Sequence, residues 1–131
     1  MEKEGVVSIW LGKSDSIKDF QQYLQANYSE EGNYINSKFE QDFDIDCFDE
    51  DLREMNYLED PSNSFSLIVS NHSYCESIIS NYLKKLDDEL DMEYDCIILL
   101  YDFDYMGNIK EVSHKGISIK FIGPCDYSKN D

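Results

Sequence analysis

An unbroken apolar run, Cys96 to Tyr101, places the strongest constraint on how this chain can fold. The run is six residues long and has acidic residues on both sides. It is too short for a solitary buried helix, whereas a strand that is covered on both faces typically has this length. Burying each of its aliphatic side chains contributes roughly 1.5–3 kcal/mol to stability. The run therefore predicts a central strand of the core.

The segment after this strand predicts an antiparallel hairpin. Gly107 and Asn108 tolerate positive φ, and an extended pattern resumes at residues 109–112. Apolar residues at 117, 119 and 121 then alternate with polar ones, which is typical of a half-exposed strand. Consecutive strands pair most simply in an antiparallel manner, so we expect a three-strand meander at the C-terminus.

A further strand is predicted near the N-terminus, at Gly5–Gly12, where β-branched and aromatic residues are bounded by glycines. Side chains alternate across a strand, so Val7, Ile9 and Leu11 should share one face. Trp10 should lie on the opposite face, where packing in the core is its more frequent role.

Two main helices and a short one are predicted from apolar spacing and capping residues. Residues 17, 20, 24 and 28 are apolar at helical spacing, which predicts a first helix that stops near Asn27. Ser37 and Glu40 fit a capping box and predict a short helix through Phe43. Ser73 and Glu76 fit a second capping box, and apolar residues recur every four positions from residue 74 to residue 90, which is the strongest helix signal in the chain.

Two segments stay ambiguous in the sequence. Residues 48–55 suit a helix or a twisted edge strand, and Asp60-Pro61 is expected to end the element. Residues 64–70 fit a strand as well as a helical turn. The order of elements predicts one α+β domain over residues 1–131, with a mostly antiparallel sheet, two main helices and a short one. We expect a polar tail from about residue 125.

The net charge of −17 is the outlying property of this 131-residue chain. Residues 40–60 hold ten acids and one base, and residues 87–104 hold eight acids and no base. Such a field repels nucleic acid and anionic membranes and favours a basic protein partner. No stretch approaches the roughly 20 apolar residues that cross a bilayer, and the N-terminus lacks the long apolar region of a signal peptide. We therefore expect a cytoplasmic protein that is monomeric when free.

The residues that could carry chemistry form no recognisable catalytic or metal-binding motif. The four cysteines are irregularly spaced, so reduced thiols are expected rather than a zinc site or disulfides. An alternation of aspartates from Asp42 suggests a calcium loop, but its sixth and twelfth positions are Cys47 and Arg53 instead of Gly and Glu. Structural or surface roles are expected for His72 and His114, because neither is part of a nucleophile motif. We predict a non-enzymatic protein without a cofactor.

Four stretches of the chain together resemble one protein family. They are Val7–Gly12 (Val-Ser-Ile-Trp-Leu-Gly), Tyr34–Asp51, Ile98–Tyr105 (Ile-Leu-Leu-Tyr-Asp-Phe-Asp-Tyr) with Gly107-Asn108, and Lys120–Gly123 (Lys-Phe-Ile-Gly). In this order, the stretches resemble the immunity protein 22 family of bacterial polymorphic-toxin systems. The chain has Phe43-Asp44-Ile45 where the family usually has Phe-Gly-Ile, a departure that adds charge at a turn.

The resemblance implies a non-enzymatic inhibitor that binds a cognate toxin and protects the cell that produces it. Combined with the acidic charge, it suggests a basic toxin, such as a nuclease, whose phosphate-binding groove an acidic surface can occupy. Our hypothesis assigns partner binding to one acidic segment with two tyrosine anchors: Asp42, Asp44, Asp46, Asp49, Glu50, Asp51, Tyr34 and Tyr57. A second candidate patch consists of Asp102, Asp104 and Tyr105. The alternative function is an acidic adaptor or assembly subunit that binds a basic housekeeping protein.

Overall fold

The computed structural model describes residues 2–45, 48 and 50–129. These residues form seven strands, four α-helices and one 3₁₀ helix. In chain order the elements are β1 (Glu2–Ser14), α1 (Ile17–Leu24), β2 (Asn27–Tyr28), β3 (Tyr34–Ile35), α2 (Lys38–Phe43), the 3₁₀ helix (Glu50–Leu52), β4 (Arg53–Ser64), α3 (Phe65–Val69), α4 (Cys75–Leu83), β5 (Glu89–Phe103), β6 (Glu111–His114) and β7 (Ile117–Asp126).

The main sheet has five strands in the order β4-β5-β1-β7-β6, and all neighbouring strands are antiparallel. The apolar run predicted to be central lies in β5, where it pairs with β1 on one side and β4 on the other. Residues 96–100 are at most 1% exposed. The prediction of a strand buried on both faces is therefore confirmed, and so is the α+β class.

Helices cover both faces of this sheet, because the side chains of β1 and β5 alternate between two apolar clusters. Trp10 and Ile98 face α1 and α2, whereas Ile9 and Leu99 face α3 and α4. The N-terminal strand thus presents its side chains as predicted, although it is longer than the predicted Gly5–Gly12. We call the side with α1 and α2 the Trp10 face.

The strand order of the C-terminal half differs from the predicted meander. β5 and β6 are separated by β1 and β7, so the hairpin predicted at Gly107-Asn108 does not form. A Cβ atom on Gly107 would lie 2.3 Å from the hydroxyl oxygen of Tyr105. Glycine is required here because the connection passes against the Tyr105 ring. Gly107-Asn108 indicates a turn from two neighbouring residues alone. The partner of β5 is instead β1, whose residues lie about ninety positions away in the sequence and are not visible in that local pattern.

Several element boundaries also differ from those predicted. α1 ends at Leu24, and Tyr28 belongs to β2 rather than to the helix. α4 ends at Leu83 instead of continuing to residue 90. The capping box predicted at Ser73 is wrong: Tyr74 is the N-cap residue with φ of 60° and makes no side-chain cap bond. The Ser73 amide and hydroxyl are instead bound to the carboxylate of Glu54.

The two ambiguous segments become an edge strand and a helix. β4 continues through Pro61, and its pairing with β5 is irregular between Tyr57 and Ser62. An edge strand tolerates proline at such an irregularity because no ladder hydrogen bond is required there. Residues 65–69 form the helix α3, in which Phe65 and Ile68 are buried, so of the two alternatives the helical turn is confirmed. The capping box of Ser37 and Glu40 at the start of α2 is confirmed.

The residues after position 125 are attached to the fold as far as Lys129. Cys125 and Tyr127 are buried, and the Ser128 amide donates to the Ser77 hydroxyl at 2.8 Å. Pairing of β7 with β1 extends to Asp126, which holds the end of the chain in place. Within the described residues, none of the helices has the length and apolar character that crossing a membrane requires.

Candidate functional site

Asp42 and Asp44 are two residues apart, yet the structure gives them different roles. The Asp42 carboxylate accepts a hydrogen bond from the Tyr23 hydroxyl at 2.9 Å and lies 2.6 Å from His114 Nε2. The Lys38 ammonium is 3.6 Å away, and the Asp42 side chain is only 10% exposed. Burial and this hydrogen bond raise the pKa of Tyr23, so its hydroxyl stays protonated and donates. Asp42 therefore connects α1, α2 and β6.

Asp44 is exposed and ends α2 in the left-handed conformation, with φ of 56°. Its backbone amide bonds to the carbonyls of Gln41 and Glu40. Glycine is the residue that most easily adopts this conformation after a helix, so a residue with a side chain is strained here. In this chain the position instead carries a charge that faces solvent.

The remaining members of the proposed acidic segment follow α2 directly. Asp51 is exposed in the 3₁₀ helix. Asp46 and Asp49 lie outside the described residues, and Glu50 is described through its backbone in the same 3₁₀ helix. The structure therefore supports solvent exposure for Asp44 and Asp51.

An exposed hairpin formed by β2 and β3 precedes α2 in the chain. Tyr28 is 66% exposed, Tyr34 43% and Ile35 44%. Tyr28 and Tyr34 are paired across the two strands, and their rings meet edge to face with centroids 5.8 Å apart. The turn between the strands carries two exposed acids. We define the hairpin surface by these side chains: Tyr28, Glu30, Glu31, Tyr34 and Ile35.

The hairpin is attached to α2 through the buried carboxylate of Glu40. Glu40 is 2% exposed, and its Oε1 accepts hydrogen bonds from the Ser37 amide, the Ser37 hydroxyl and the Tyr34 hydroxyl. A second contact, from Arg53 Nη1 to the Leu24 carbonyl at 3.3 Å, places the start of β4 beside the end of α1. These contacts place the hairpin beside α2, and the start of β4 beside the end of α1.

Of the three large exposed side chains of the hairpin, the sequence pointed to Tyr34 alone, and it gave no indication that Tyr28 and Ile35 are exposed. The spacing of Tyr28 from Leu24 matched a helix, which concealed its position in a strand. The signal that could have found it is the pair of aromatic residues on either side of Ser29–Asn33, a segment rich in turn residues. Tyr57, the second predicted anchor, is only partly exposed and donates to the Ser14 carbonyl at 3.3 Å. It fastens β4 to the end of β1.

The second candidate patch is a network within the protein. Asp102 accepts bonds from the Gly5 amide at 3.0 Å and the Tyr127 hydroxyl at 2.7 Å, and it pairs with Lys129. Burial alone would raise the pKa of Asp102, but the hydrogen bonds from Lys129, Tyr127 and Gly5 outweigh it and lower the pKa. This carboxylate is stabilised as an anion that holds the chain end.

The other two residues of that patch also have partners in the fold. Asp104 lies 3.8 Å from the Lys3 ammonium. Tyr105 is 6% exposed, and its ring centroid lies 4.8 Å from that of Phe121 and 5.5 Å from that of Trp10. In this conformation Tyr105 is a core residue and does not form part of a surface.

One cluster of chemically capable side chains surrounds Glu54. The carboxylate accepts bonds from the Ser73 amide at 3.0 Å, the Ser73 hydroxyl and the Tyr101 hydroxyl at 2.9 Å, and His72 Nδ1 lies 3.2 Å away. Burial alone would raise the pKa of Glu54, but the hydrogen bonds, chiefly those from Ser73, lower it. The serine hydroxyl is bound to the carboxylate rather than to the imidazole, so His72 does not activate it as a base.

A cavity of about 340 Å³ lies between the end of α4 and β7. Three lysines line it, and Cys125 is the thiol at its wall. Burial raises the pKa of Cys125 to about 11, which keeps the thiol protonated and a poor nucleophile. Among the described residues, no cluster of three or more potential metal ligands occurs.

An exposed aromatic pair with acidic side chains around it is typical of a protein-binding domain, since tyrosine is enriched among binding hot spots. A sequence model of the family described as Immunity protein 22 matches residues 7–128, and the chain therefore belongs to this family. The resemblance noted in the sequence is confirmed. Membership implies a toxin-neutralising inhibitor that binds a cognate toxin. No curated protein and no solved structure matches the chain.

Proposed function

We propose that this protein neutralises a basic toxin, such as a nuclease, by covering the toxin's active site with an acidic surface. The observation that carries the proposal is the net charge of −17 in a member of an immunity family. A nuclease needs a positively charged groove for phosphates, and a folded anionic surface can occupy that groove without being cleaved. Blocking of this kind requires tight binding and no reaction by the inhibitor.

We assign this role to the hairpin surface together with α2 and the 3₁₀ helix. Asp44 and Asp51 supply exposed charge there, and Tyr34 supplies an aromatic contact. Asp46, Asp49 and Glu50 belong to the same segment of the chain, and we retain them in the proposal. Asp42, Tyr57 and the second patch are used within the fold, so we assign them supporting roles.

Charge distribution also favours rapid association with a basic partner. Acidic side chains around an interface raise the association rate, and salt screens this effect because the Debye length is about 8 Å at physiological ionic strength. Association of the wild-type protein with its toxin should therefore slow markedly as sodium chloride is raised. A rate that stays flat would contradict a basic partner.

Growth rescue tests the toxin-neutralising role itself. The gene for this protein should be co-expressed with the adjacent toxin gene, and growth should be restored by the wild-type protein. A failure to rescue, together with no binding in calorimetry, would contradict the proposed function. A co-purified basic protein that is not a toxin would indicate an adaptor instead.

Charge reversal tests the assigned surface. Replacing Asp44 and Asp51 by Lys should leave folding nearly intact and weaken toxin binding by several kcal/mol, since breaking a desolvated charge pair costs about 2–5 kcal/mol. Glu59→Lys with Glu93→Lys is the matched control, because it changes the net charge equally with exposed acids in β4 and β5. Equal dissociation constants for the two double variants would exclude the surface.

A further inference from the structure

The β2–β3 hairpin exposes aromatic surface to solvent. Each strand has two residues, and the hairpin is a separate sheet from the main one. Large aromatic side chains are normally buried, and Trp10 and Phe39 on the Trp10 face are 0% exposed. Tyr28, at 66% exposed, has its ring contact with Tyr34 rather than with the core. Paired exposed aromatic side chains make the hairpin a candidate interaction site, because tyrosine is enriched among binding hot spots.

The hairpin is held in one conformation by its own hydrogen bonds. The Ser29 amide donates to the Asn33 carbonyl at 2.9 Å, and the Gly32 amide donates to the Ser29 carbonyl at 2.9 Å. Gly32 has φ of +86°, a conformation that glycine adopts without strain. The Tyr34 hydroxyl is bound to the buried Glu40 carboxylate. A binding element that is ordered before it meets its partner loses less entropy on binding.

The tip of the hairpin is negatively charged. Between Lys18 and Lys38 the sequence carries three acids and no base, and two of the acids, Glu30 and Glu31, are exposed in the turn. The hairpin therefore offers aromatic rings at its sides and two carboxylates at its end. This combination is complementary to a cleft with apolar or aromatic walls and a cationic floor.

We propose that the β2–β3 hairpin is the element that enters the basic active-site cleft of the cognate toxin. Tyr28 is the anchor that becomes buried on binding, and Glu30 and Glu31 pair with cationic side chains of the toxin. Glu40 is a positioning residue, because it orients Tyr34 without reaching the surface. The inference rests on the proposed function and extends it by naming the inserted element and the character of the cleft.

Binding of the toxin domain encoded beside this gene tests the hairpin directly. Tyr28→Ala should raise the dissociation constant by at least about 30-fold, as expected for a hot-spot aromatic residue, and Glu30→Lys with Glu31→Lys should mainly slow association. Leu67→Ala is the control, because Leu67 is 57% exposed on α3, on the other face of the sheet. Leu67→Ala should change the dissociation constant by less than about threefold. Thermal unfolding should be unchanged in all of these variants.

The positioning role of Glu40 requires a different measurement. Tyr34→Phe keeps the ring and removes the hydroxyl that binds Glu40. Amide hydrogen exchange of the free variant should accelerate at residues 27–35 and stay unchanged in β5, and affinity for the toxin should fall. A loss of overall stability without faster exchange at the hairpin would overturn the positioning role.

Hydrogen exchange on the wild-type complex keeps the test decisive if a variant misfolds. Toxin binding should protect residues 27–35 strongly. If wild-type protein binds the toxin but this segment is unprotected, or Tyr28→Ala binds as tightly as Leu67→Ala, the hairpin inference is wrong and the proposed function stands. If the wild-type protein does not bind the toxin at all, the proposed function itself fails.

Discussion

The carboxylate of Asp42 lies 2.6 Å from His114 Nε2, which ties the helix α2 to the edge strand β6 across 72 residues of sequence. The Tyr23 hydroxyl donates to the same carboxylate oxygen, so three elements meet at this side chain. Asp44, two residues further along, has its side chain in solvent. This contrast separates an acid that supports the fold from one that is available to a partner.

Asp42→Asn should destabilise the protein by about 1–3 kcal/mol, because a largely buried carboxylate that binds the Tyr23 hydroxyl and His114 loses its charge. Asp44→Asn is the matched control and should change the free energy of unfolding by less than about 0.5 kcal/mol, since its side chain is exposed. Urea denaturation followed by circular dichroism measures both. Equal stabilities would show that the contacts of Asp42 contribute nothing to folding.

Asp44→Gly should separate stability from binding. Backbone φ at this position is 56°, and this left-handed conformation is higher in energy for a residue with a side chain than for glycine. The variant should therefore be as stable as the wild type, or more stable by up to about 1 kcal/mol. Because the charge is removed, affinity for the toxin should fall. A variant that is clearly less stable would argue against strain at this turn.

Gly107→Ala should destabilise the protein by about 1–3 kcal/mol, because the added Cβ would lie 2.3 Å from the Tyr105 hydroxyl oxygen and displace a packed ring. The control is Gly5→Ala, where the nearest atom is 3.8 Å away but φ is +81°, so the cost there is backbone strain alone. In a Tyr105→Ala background, Gly107→Ala should reduce the free energy of unfolding much less than in the wild type. The destabilisation by Gly5→Ala should be the same in both backgrounds. A double-mutant cycle of unfolding free energies measures this difference, and strict additivity at Gly107 would contradict the clash.

The pH dependence of stability should follow the lowered pKa values of Glu54 and Asp102. A carboxyl whose pKa is lower in the folded than in the unfolded state stabilises the protein above its unfolded pKa, near 4 for these residue types. That contribution is lost as the pH falls through the lower, folded pKa. Unfolding free energy should therefore decline below about pH 4, and Glu54→Gln should flatten the decline even though it lowers stability at neutral pH. An unchanged slope would contradict the role of Glu54.

Cys96 and Cys125 should resist alkylation in the native protein. Burial raises the pKa of both thiols, so the reactive thiolate is scarce and its access is blocked. Iodoacetamide at about pH 8 followed by mass spectrometry should modify these two residues only after unfolding. Modification of Cys96 or Cys125 as fast as that of the partly exposed Cys75 would show that the core opens readily.

Local sequence patterns correctly predicted those elements that depend only on residues close together in the sequence. The alternation in β1 correctly separated Trp10 from Ile9, because side chains of a strand alternate whatever its neighbours are. The Ser37 capping box correctly began α2, because its hydrogen bonds are confined to four consecutive residues. The Ser73 capping box failed because Glu54, far away in sequence, competes for the serine hydroxyl.

The sequence by itself determined the α+β class, the strands that bury side chains on both faces of the sheet, and the family. These follow from apolar periodicity and from short motifs in a constant order. Only the tertiary structure decided that β1 lies between β5 and β7, and that Asp42 is enclosed while Asp44 faces solvent. Asp42 and Asp44 look alike in sequence, and the spacing of Tyr28 from Leu24 predicts a helix although Tyr28 lies in β2. Their roles depend on which distant groups pack nearby, because burial and hydrogen bonding are properties of the assembled fold.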